Sequence, residues 1–406
     1  MAHFSRVSVL ALAACALLAL APPVEWALAQ QVVVVKKRAA KKKPVPKETK
    51  NEAQERTPFS AEEDEAASIS GIADARTWGD SATDFARLFP QASGPWLAIS
   101  GGGADGAYGG GVLAGWTQAG SRPEFAVVTG SSIGALIAPF AFLGSRHDDD
   151  IRKNFTTISA ADIFEDRQTP DSLFDYWPLR RQIEQQISPN LLAEIAAEHA
   201  RGRRLFVATT NLDAGRRVIW NMGAIAARGD EKSLKLFRDV LLASASIPGF
   251  FSPVKIEVES NGKRFVEIHG DGTLTTPFFV LPESMLSASF PAGPPFTELY
   301  VIVNSKLGPE FKMPDPNIPG VLGRSIGVAL TTALRSEVAL VYGGAQRHGI
   351  ALRIAHVDPS FKYPSRGPFD GKYMQALYDF GLAAGRKGSA FGDQLPNLSQ
   401  RGQNVQ

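Results

Sequence analysis

A serine flanked by glycines is the first feature of the sequence that could perform chemistry. The motif at residues 130–134 reads G-x-S-x-G, with Ser132 at its centre and Ser131 before it. It follows an apolar strand-like run at 125–129 and opens an apolar run of helical length at 133–143. A tight turn from strand to helix exposes such a serine, and the helix N-terminus stabilises negative charge beside it. Ser132 is therefore the candidate nucleophile, Ser131 should point elsewhere, and the glycines that relieve crowding in the turn are Gly130 and Gly134.

A second glycine-rich loop, at residues 101–106, follows the apolar run at 96–100. It formally matches the dinucleotide fingerprint G-x-G-x-x-G, but the next strand ends in T-G-S-S, without the acidic residue that holds a ribose. It also lacks the G-K-[ST] ending of a phosphate-binding P-loop. An array of backbone N–H groups that forms an oxyanion hole near Ser132 is the better interpretation. The residues assigned to this hole are Gly101, Gly102, Gly103, Ala104 and Gly106.

Two kinds of proton acceptor are compatible with Ser132. Asp271 follows the strand-like run at 265–269 in a glycine-flanked loop and could accept the serine proton directly. A Ser-Asp-His triad would instead use a histidine later in the chain, where His348 and His356 stand. His348 has the sequence context of a helix end and His356 that of a strand, so both also have simple structural interpretations. The residues alone leave both mechanisms open.

The segments around these motifs alternate between strands and helices. Strands are predicted at 96–100, 125–129, 205–210, 218–222, 254–257, 265–269, 298–304 and 350–357, with a hairpin turn at 261–262. Helices are predicted at 106–120, 133–143, 190–201, 233–244, 322–348 and 372–384. This alternation predicts an α/β fold with a mostly parallel central sheet and helices on both faces. Ligands of such sheets bind beyond the carboxyl ends of the strands, where both glycine motifs lie.

The N-terminal segments predict an exported protein whose globular body follows a flexible linker. Residues 1–29 contain an early positive charge, an apolar run and an A-x-A site, which is the layout of a signal peptide, so we expect a periplasmic or secreted protein. An alternative is lipidation of Cys15, which stands in a lipobox-like L-A-A-C. The charged segment 30–75 predicts a disordered linker, 76–385 the globular body and 386–406 a flexible tail.

The composition excludes several classes of protein. Hydrophobic residues make up 44% and charged residues 21%, which excludes a disordered chain, a collagen and a multispanning membrane protein. Residues 1–50 hold nine Lys or Arg against two Glu, so the remainder is mildly acidic, which argues against a nucleic-acid binder. The chain has one cysteine, so an internal disulfide and a cysteine zinc site are excluded.

Together the motifs resemble those of the patatin-like phospholipase family over roughly residues 96–282. That family has a glycine-rich oxyanion loop, a G-x-S-x-G serine and an aspartate in D-G-[GA], in this order. The stretch 243–253 also resembles the A-S-x-x-I-P-x-x-F-x-P segment upstream of the family's aspartate. The resemblance implies a patatin-type three-layer fold, a Ser132–Asp271 dyad without histidine, and no cofactor or metal. It also implies that the oxyanion N–H groups come from Gly102, Gly103 and Ala104.

Two positions depart from the family pattern. Asp105 stands where the family usually has Arg or Lys, which puts the affinity for lipid phosphate and the loop geometry in question. Thr273 stands where the family has Gly or Ala after D-G, which puts the tightness of that loop in question.

The resemblance implies a lipid acyl hydrolase of the phospholipase A or lysophospholipase type. Its partners would be lipid or phospholipid substrates, with peripheral membrane contact left open and no nucleic acid. Two alternatives remain: a soluble esterase or thioesterase with a Ser-Asp-His triad, and a non-catalytic envelope protein that binds an anionic ligand. Apolar residues near the motifs either line an acyl channel or belong to the core, namely Ile247, Phe250, Phe251, Phe278 and Phe279. No motif assigns a role to residues 314–372.

Overall fold

The computed structural model describes residues 56–166, 171–287 and 294–396. The predicted signal peptide, Cys15, most of the predicted linker and residues 397–406 lie outside the described residues. The strands are β1 (Arg76–Trp78), β2 (Trp96–Ile99), β3 (Val127–Ser131), β4 (Ser172–Phe174), β5 (Arg204–Asn211), β6 (Arg216–Asn221), β7 (Gly249–Phe251), β8 (Val254–Ser260), β9 (Lys263–Asp271), β10 (Glu298–Val303) and β11 (Ala351–His356).

The helices surround these strands in chain order. They are α1 (Ala61–Glu65), α2 (Ala82–Ala86), α3 (Gly106–Gln118), α4 (Ile133–Leu143), α5 (Asp148–Thr156), α6 (Ala160–Ile163), α7 (Trp177–Gln186), α8 (Pro189–Ala200), α9 (Met222–Arg228), α10 (Glu231–Ser244), α11 (Glu283–Ser287), α12 (Ile318–His348) and α13 (Gly371–Arg386). Short 3₁₀ turns lie at Gly103–Asp105, Ser145–His147 and Gly272–Leu274.

A nine-stranded sheet organises the described part of the chain, and its main path has the order β1-β6-β5-β3-β2-β10-β11. β4 and β7 pair in a separate two-stranded parallel sheet. The five strands from β5 to β11 in this order run parallel. β6 and β1 add an antiparallel edge, and β9 of the β8–β9 hairpin pairs antiparallel with the last residues of β5. The predicted α/β fold with a mostly parallel sheet and surrounding helices is therefore confirmed, with antiparallel strands added on one side.

Each face of the sheet has its own hydrophobic core. Successive residues of β2 alternate between them: Leu97 and Ile99 belong to one cluster, while Trp96 and Ala98 belong to the other. The first cluster includes residues of α3, α4 and α13, and the second includes the segment 278–281 and buried residues of α12. Burial on both faces explains why the parallel strands are apolar runs without alternation.

The helix that follows the glycine-rich loop is held by glycines at a very close helix–helix contact. A Cβ atom on Gly111 of α3 would lie 2.1 Å from the carbonyl oxygen of Tyr378 on α13. A Cβ atom on Gly381 of α13 would lie 2.4 Å from the carbonyl oxygen of Tyr108 on α3. These backbones approach so closely because neither residue has a side chain, and the contact anchors the start of α3 beside the site.

The ordered body begins before residue 76 and extends beyond residue 385, which corrects both predicted boundaries. α1 is capped by the Ser60 side chain, Phe59 stacks on Phe265 with ring centroids 4.4 Å apart, and Ser68 pairs with Glu259. At the other end, Gly392 forms a β-bridge with Ile354. The acidic run at 62–65 suggested a solvated linker, but the apolar residues around it dock on the sheet.

Candidate active site

Ser132 stands at a strained turn between β3 and α4. Its backbone φ is 54°, a left-handed value that is uncommon for a residue with a side chain and is typical of constrained functional positions. A Cβ atom on Gly134 would lie 2.3 Å from the carbonyl oxygen of Ile99, so the turn requires glycine there. The Ser132 N–H donates to Ser244 Oγ at 3.0 Å, and the Ser131 hydroxyl donates to the Thr276 carbonyl oxygen, away from Ser132, as predicted.

The Ser132 hydroxyl donates a hydrogen bond to Asp271, with 2.7 Å between Oγ and Oδ2. The sheet register explains this meeting of residues that lie 139 positions apart. β6 occupies one edge of β5, while on the other edge β3 ends at the level of Ala208 and β9 ends at the level of Thr209. The ends of β3 and β9 therefore face each other, and each delivers one of the two side chains.

Asp271 is fully buried, and burial raises its pKa to about 6 because a carboxylate is poorly solvated there. Hydrogen bonds from Thr273 and Ser132 oppose that rise in pKa. The second carboxyl oxygen, Oδ1, accepts from the Thr273 backbone N–H at 2.8 Å and from the Thr273 hydroxyl at 2.6 Å. The threonine that replaces the family's Gly or Ala therefore orients the carboxylate and favours its charged form.

The glycine-rich loop lies beside Ser132. Some of its backbone N–H groups donate hydrogen bonds within the protein, and others precede the first hydrogen bond of the 3₁₀ turn. The Gly101 N–H donates to the Pro277 carbonyl oxygen at 3.1 Å, and the Gly106 N–H donates to the Gly103 carbonyl oxygen. The N–H groups of these two predicted members of the oxyanion hole therefore already donate within the protein. Both residues allow close packing, because a Cβ atom would lie 2.3 Å from Thr273 at Gly101 and 2.6 Å from Ile133 at Gly106. Gly102, Gly103 and Ala104 precede the first hydrogen bond of the 3₁₀ turn, where N–H groups have no partner within the turn.

Asn304, at the end of β10, holds this loop in place. Its side-chain amide donates to the Ser100 carbonyl oxygen at 2.8 Å and its amide oxygen accepts from the Gly109 N–H at 3.0 Å. A Cβ atom on Gly102 would lie 2.0 Å from the Asn304 carbonyl oxygen. The sequence analysis missed this role, although an asparagine at the end of an apolar strand-like run was a usable signal.

A cavity of about 390 Å³ adjoins the Ser132 hydroxyl and the Asp271 carboxylate. Its wall is largely apolar and includes Ile247, Phe251, Gly327, Leu330 and Leu334. Of the five apolar residues predicted to lie in an acyl channel or the core, Ile247 and Phe251 line the cavity. Phe278 and Phe279 are buried in the second core, and Phe250 stacks on Phe174 outside the cavity wall. Within the described residues, the ionisable side chains of the wall are Asp271 and Asp105.

Asp105 is a second carboxyl with a raised pKa in this cavity. Burial raises its pKa to about 6, and a hydrogen bond from the Tyr373 hydroxyl, at 2.7 Å, opposes that rise. Tyr373 belongs to α13, so only the packing of α13 on α3 brings it to the loop. Its position in the sequence carried no signal for this role.

The structure does not bring the candidate triad histidines to Ser132. His356 Nδ1 lies 3.1 Å from the Val357 carbonyl oxygen and His348 Nε2 lies 3.3 Å from the Leu286 carbonyl oxygen; neither lines the cavity in the described part of the chain. His269, two residues before Asp271, is buried and bonded to Glu267 and Thr209, and burial lowers its pKa. Its hydrogen bond with Thr209 joins β9 to β5.

Comparison with known proteins agrees with the resemblance drawn from the motifs. Residues 97–282 match the family model of the patatin-like phospholipases, so that resemblance is confirmed over this range. Among solved structures, the chain is similar to VipD from Legionella pneumophila, at 11% identity, with a TM-score of 0.35, over 75% of this chain and 69% of that one. Comparison with curated protein sequences gives no match.

The Thr273 hydroxyl yields a first prediction. Thr273→Val removes one donor to Asp271 Oδ1, so the pKa of Asp271 should rise above about 6 and the acid limb of kcat/KM should move to higher pH. Activity near pH 6 should fall several-fold, with a much smaller loss on the alkaline plateau. Thr273→Ser keeps the hydroxyl and is the matched control. Equal acid limbs in both variants would contradict the assignment, even if both lose stability.

Proposed function

We propose that this chain, which carries a patatin-like phospholipase domain over residues 97–282, hydrolyses acyl esters of lipids with Ser132 as nucleophile and Asp271 as base. The family match supports a lipid acyl hydrolase; the phospholipase A or lysophospholipase type is our finer proposal. The observation that carries it is the 2.7 Å hydrogen bond from Ser132 Oγ to a buried carboxylate beside an apolar cavity. A nucleophile, a base and a place for an acyl chain then lie together.

In the first half of the reaction, Ser132 Oγ attacks the ester carbonyl carbon while Asp271 Oδ2 takes the serine proton. The resulting oxyanion accepts hydrogen bonds from the backbone N–H groups at the start of the 3₁₀ turn, those of Gly102, Gly103 and Ala104. Collapse of this intermediate breaks the ester bond, and Asp271 gives its proton to the departing alcohol oxygen. The acyl group remains bonded to Ser132.

The second half repeats these steps with water. Asp271 accepts a proton from a water molecule that attacks the acyl carbonyl carbon, and Ser132 recovers its proton as the fatty acid leaves. A base pKa of about 6 suits both halves, because the carboxylate is charged at neutral pH and basic enough to accept a proton. Oδ1 stays bonded to Thr273, so Oδ2 keeps facing Ser132 throughout.

The charge of Asp105 affects which lipid headgroups the site accepts. Both ionisable groups of the described cavity wall are carboxyls, so an anionic phosphate near the loop would meet repulsion where the family usually supplies a cation. We propose that the substrate group next to Asp105 is uncharged, as in a neutral glycerol ester, or that the phosphate of a zwitterionic lipid stays beyond its reach.

We also propose that the enzyme is exported. The support is the signal-peptide layout of residues 1–29 and the single cysteine, Cys15, which lies inside that segment, so the processed chain would contain no thiol. Expression of the full chain in a bacterium should give a processed protein that begins at Gln30. Retention of Met1, or labelling by palmitate that is lost in Cys15→Ala, would contradict cleavage at this site.

Labelling with a fluorescent fluorophosphonate tests the nucleophile. Wild type should label and Ser132→Ala should not, while Ser131→Ala is the matched control and should label normally because Ser131 bonds to Thr276. Equal labelling of wild type and Ser132→Ala would move the nucleophile elsewhere.

Asp271→Asn should retain the fold and lose about 1000-fold in kcat, since it removes the general base.

Headgroup selection is tested with two substrates that share one acyl chain, a monoacylglycerol and an anionic lysophosphatidylglycerol. Asp105→Asn should raise kcat/KM for the anionic substrate about fivefold relative to the neutral one, because one nearby negative charge is removed. Asp379→Asn, an exposed change of the same kind on α13, should leave the ratio unaltered. An unchanged ratio in Asp105→Asn would contradict the proposed selection.

A further inference from the structure

The long helix α12 exposes a face that carries no charge. From Ile318 onwards, exposed residues recur every three or four positions, which places them on one side of the helix. We define the outer stripe as Ile318, Val321, Leu322, Ser325, Val328 and Ala329. The same side continues to Ala339 with only Thr, Ala and Ser. The solvent-facing side of a globular protein's helix normally holds charged residues, so this face is adapted to something other than water.

The opposite side of α12 belongs to the site and the core. Gly327, Leu330 and Leu334 line the cavity beside Ser132, and further along the helix Val338 is buried in the second core. By length and composition Gly320–His348 could cross a membrane, and 17% of its most apolar window is buried. A helix that walls the cavity on one side and packs on the sheet cannot be surrounded by lipid, so its outer stripe can meet a lipid surface only side-on.

The segment just before α12 extends this apolar surface. Phe311 is 80% exposed and Met313 is 78% exposed, and Lys312 lies exposed between them. Ile318, the first residue of the helix, is 82% exposed. Glu310 is paired with Lys306 at 2.8 Å, so the other charged residues of 306–324, Lys312, Asp315 and Arg324, leave a net charge of +1 beside the apolar side chains. Large apolar side chains next to a net positive charge are typical of segments that insert at the acyl boundary while cationic groups reach anionic headgroups.

We propose that the outer stripe and residues 311–313 form the surface by which the protein lies on an anionic lipid bilayer. This rests on the proposed function, because a lipid ester must be drawn from such a surface into the cavity. The same helix carries the outer stripe and the cavity wall, so docking would place the cavity about one helix diameter, ~10 Å, from the bilayer. A second copy of the chain is disfavoured because the large apolar groups are concentrated at one end of the helix, around the lysine.

Vesicle binding tests the surface. Full-length Ser132→Ala protein, which cannot alter the lipid, is mixed with vesicles of equimolar phosphatidylcholine and phosphatidylglycerol and separated by flotation. Adding Val328→Glu should weaken binding about tenfold, because a carboxylate in the outer stripe would have to enter the acyl boundary. Glu favours helix more than Val, so the helix itself is retained. The control is Gln346→Glu, an exposed change on the same helix beyond the stripe, which should bind like the parent.

Activity assays separate this inference from the proposed function. In the Ser132 background, Val328→Glu should hydrolyse a short-chain, water-soluble ester like wild type and lose about tenfold on lipid in vesicles. Equal vesicle binding by Val328→Glu and Gln346→Glu would overturn the docking surface while leaving hydrolysis of the soluble ester intact. No hydrolysis of any ester by wild type would overturn the proposed function instead. A wild-type dimer that Val328→Glu dissociates, seen by light scattering, would assign the face to a second copy and also overturn the proposal.

Discussion

The hydrogen bond between Ser132 and Asp271 is the interaction on which the rest of the structure depends. It joins the end of β3 to the end of β9, and both strands reach it because they share one edge of β5. A carboxylate that is fully buried would lose its charge unless donors surround it. Ser132 and Thr273 supply these donors from two directions, which keeps the carboxylate charged at neutral pH and basic enough to take a proton.

Close backbone approach is the second constraint. The glycine loop, the nucleophile turn and the contact of α3 with α13 all contain positions where a Cβ atom would lie within 2.5 Å of a carbonyl oxygen, as at Gly102, Gly134 and Gly111. These contacts hold the loop's N–H groups and the serine in fixed relation to each other. A pre-organised site of this kind does not have to rearrange as charge develops on the substrate, which is where electrostatic catalysis gains most.

The helix α12 links this site to the surface of the protein. Its inner side completes the cavity with Gly327 and Leu330, while its outer side is exposed and uncharged around Val328. One helix therefore has an apolar side that contacts the cavity and the core and an exposed side without charges, which is rare in the helices of globular proteins. The proposed docking surface and the cavity beside Ser132 therefore lie on opposite sides of the same helix.

The sequence by itself determined the α/β fold, the positions of most strands and helices, and the two candidates Ser132 and Asp271, whereas their pairing without a histidine is seen in the structure. These follow from local signals, because apolar runs, glycines in turns and a serine before a helix can be recognised in the sequence without knowledge of tertiary contacts. Only the tertiary structure decided that residues 56–75 dock on the sheet, that Gly101 and Gly106 use their N–H groups in packing, and that His348 and His356 stay away from the site. Only the tertiary structure likewise showed that Asn304 holds the glycine-rich loop and that Tyr373 donates to Asp105. The two partners of each hydrogen bond lie far apart in the chain. Their roles depend on which strand or helix packs beside which, and that choice is made by the burial of whole faces, which no local pattern encodes.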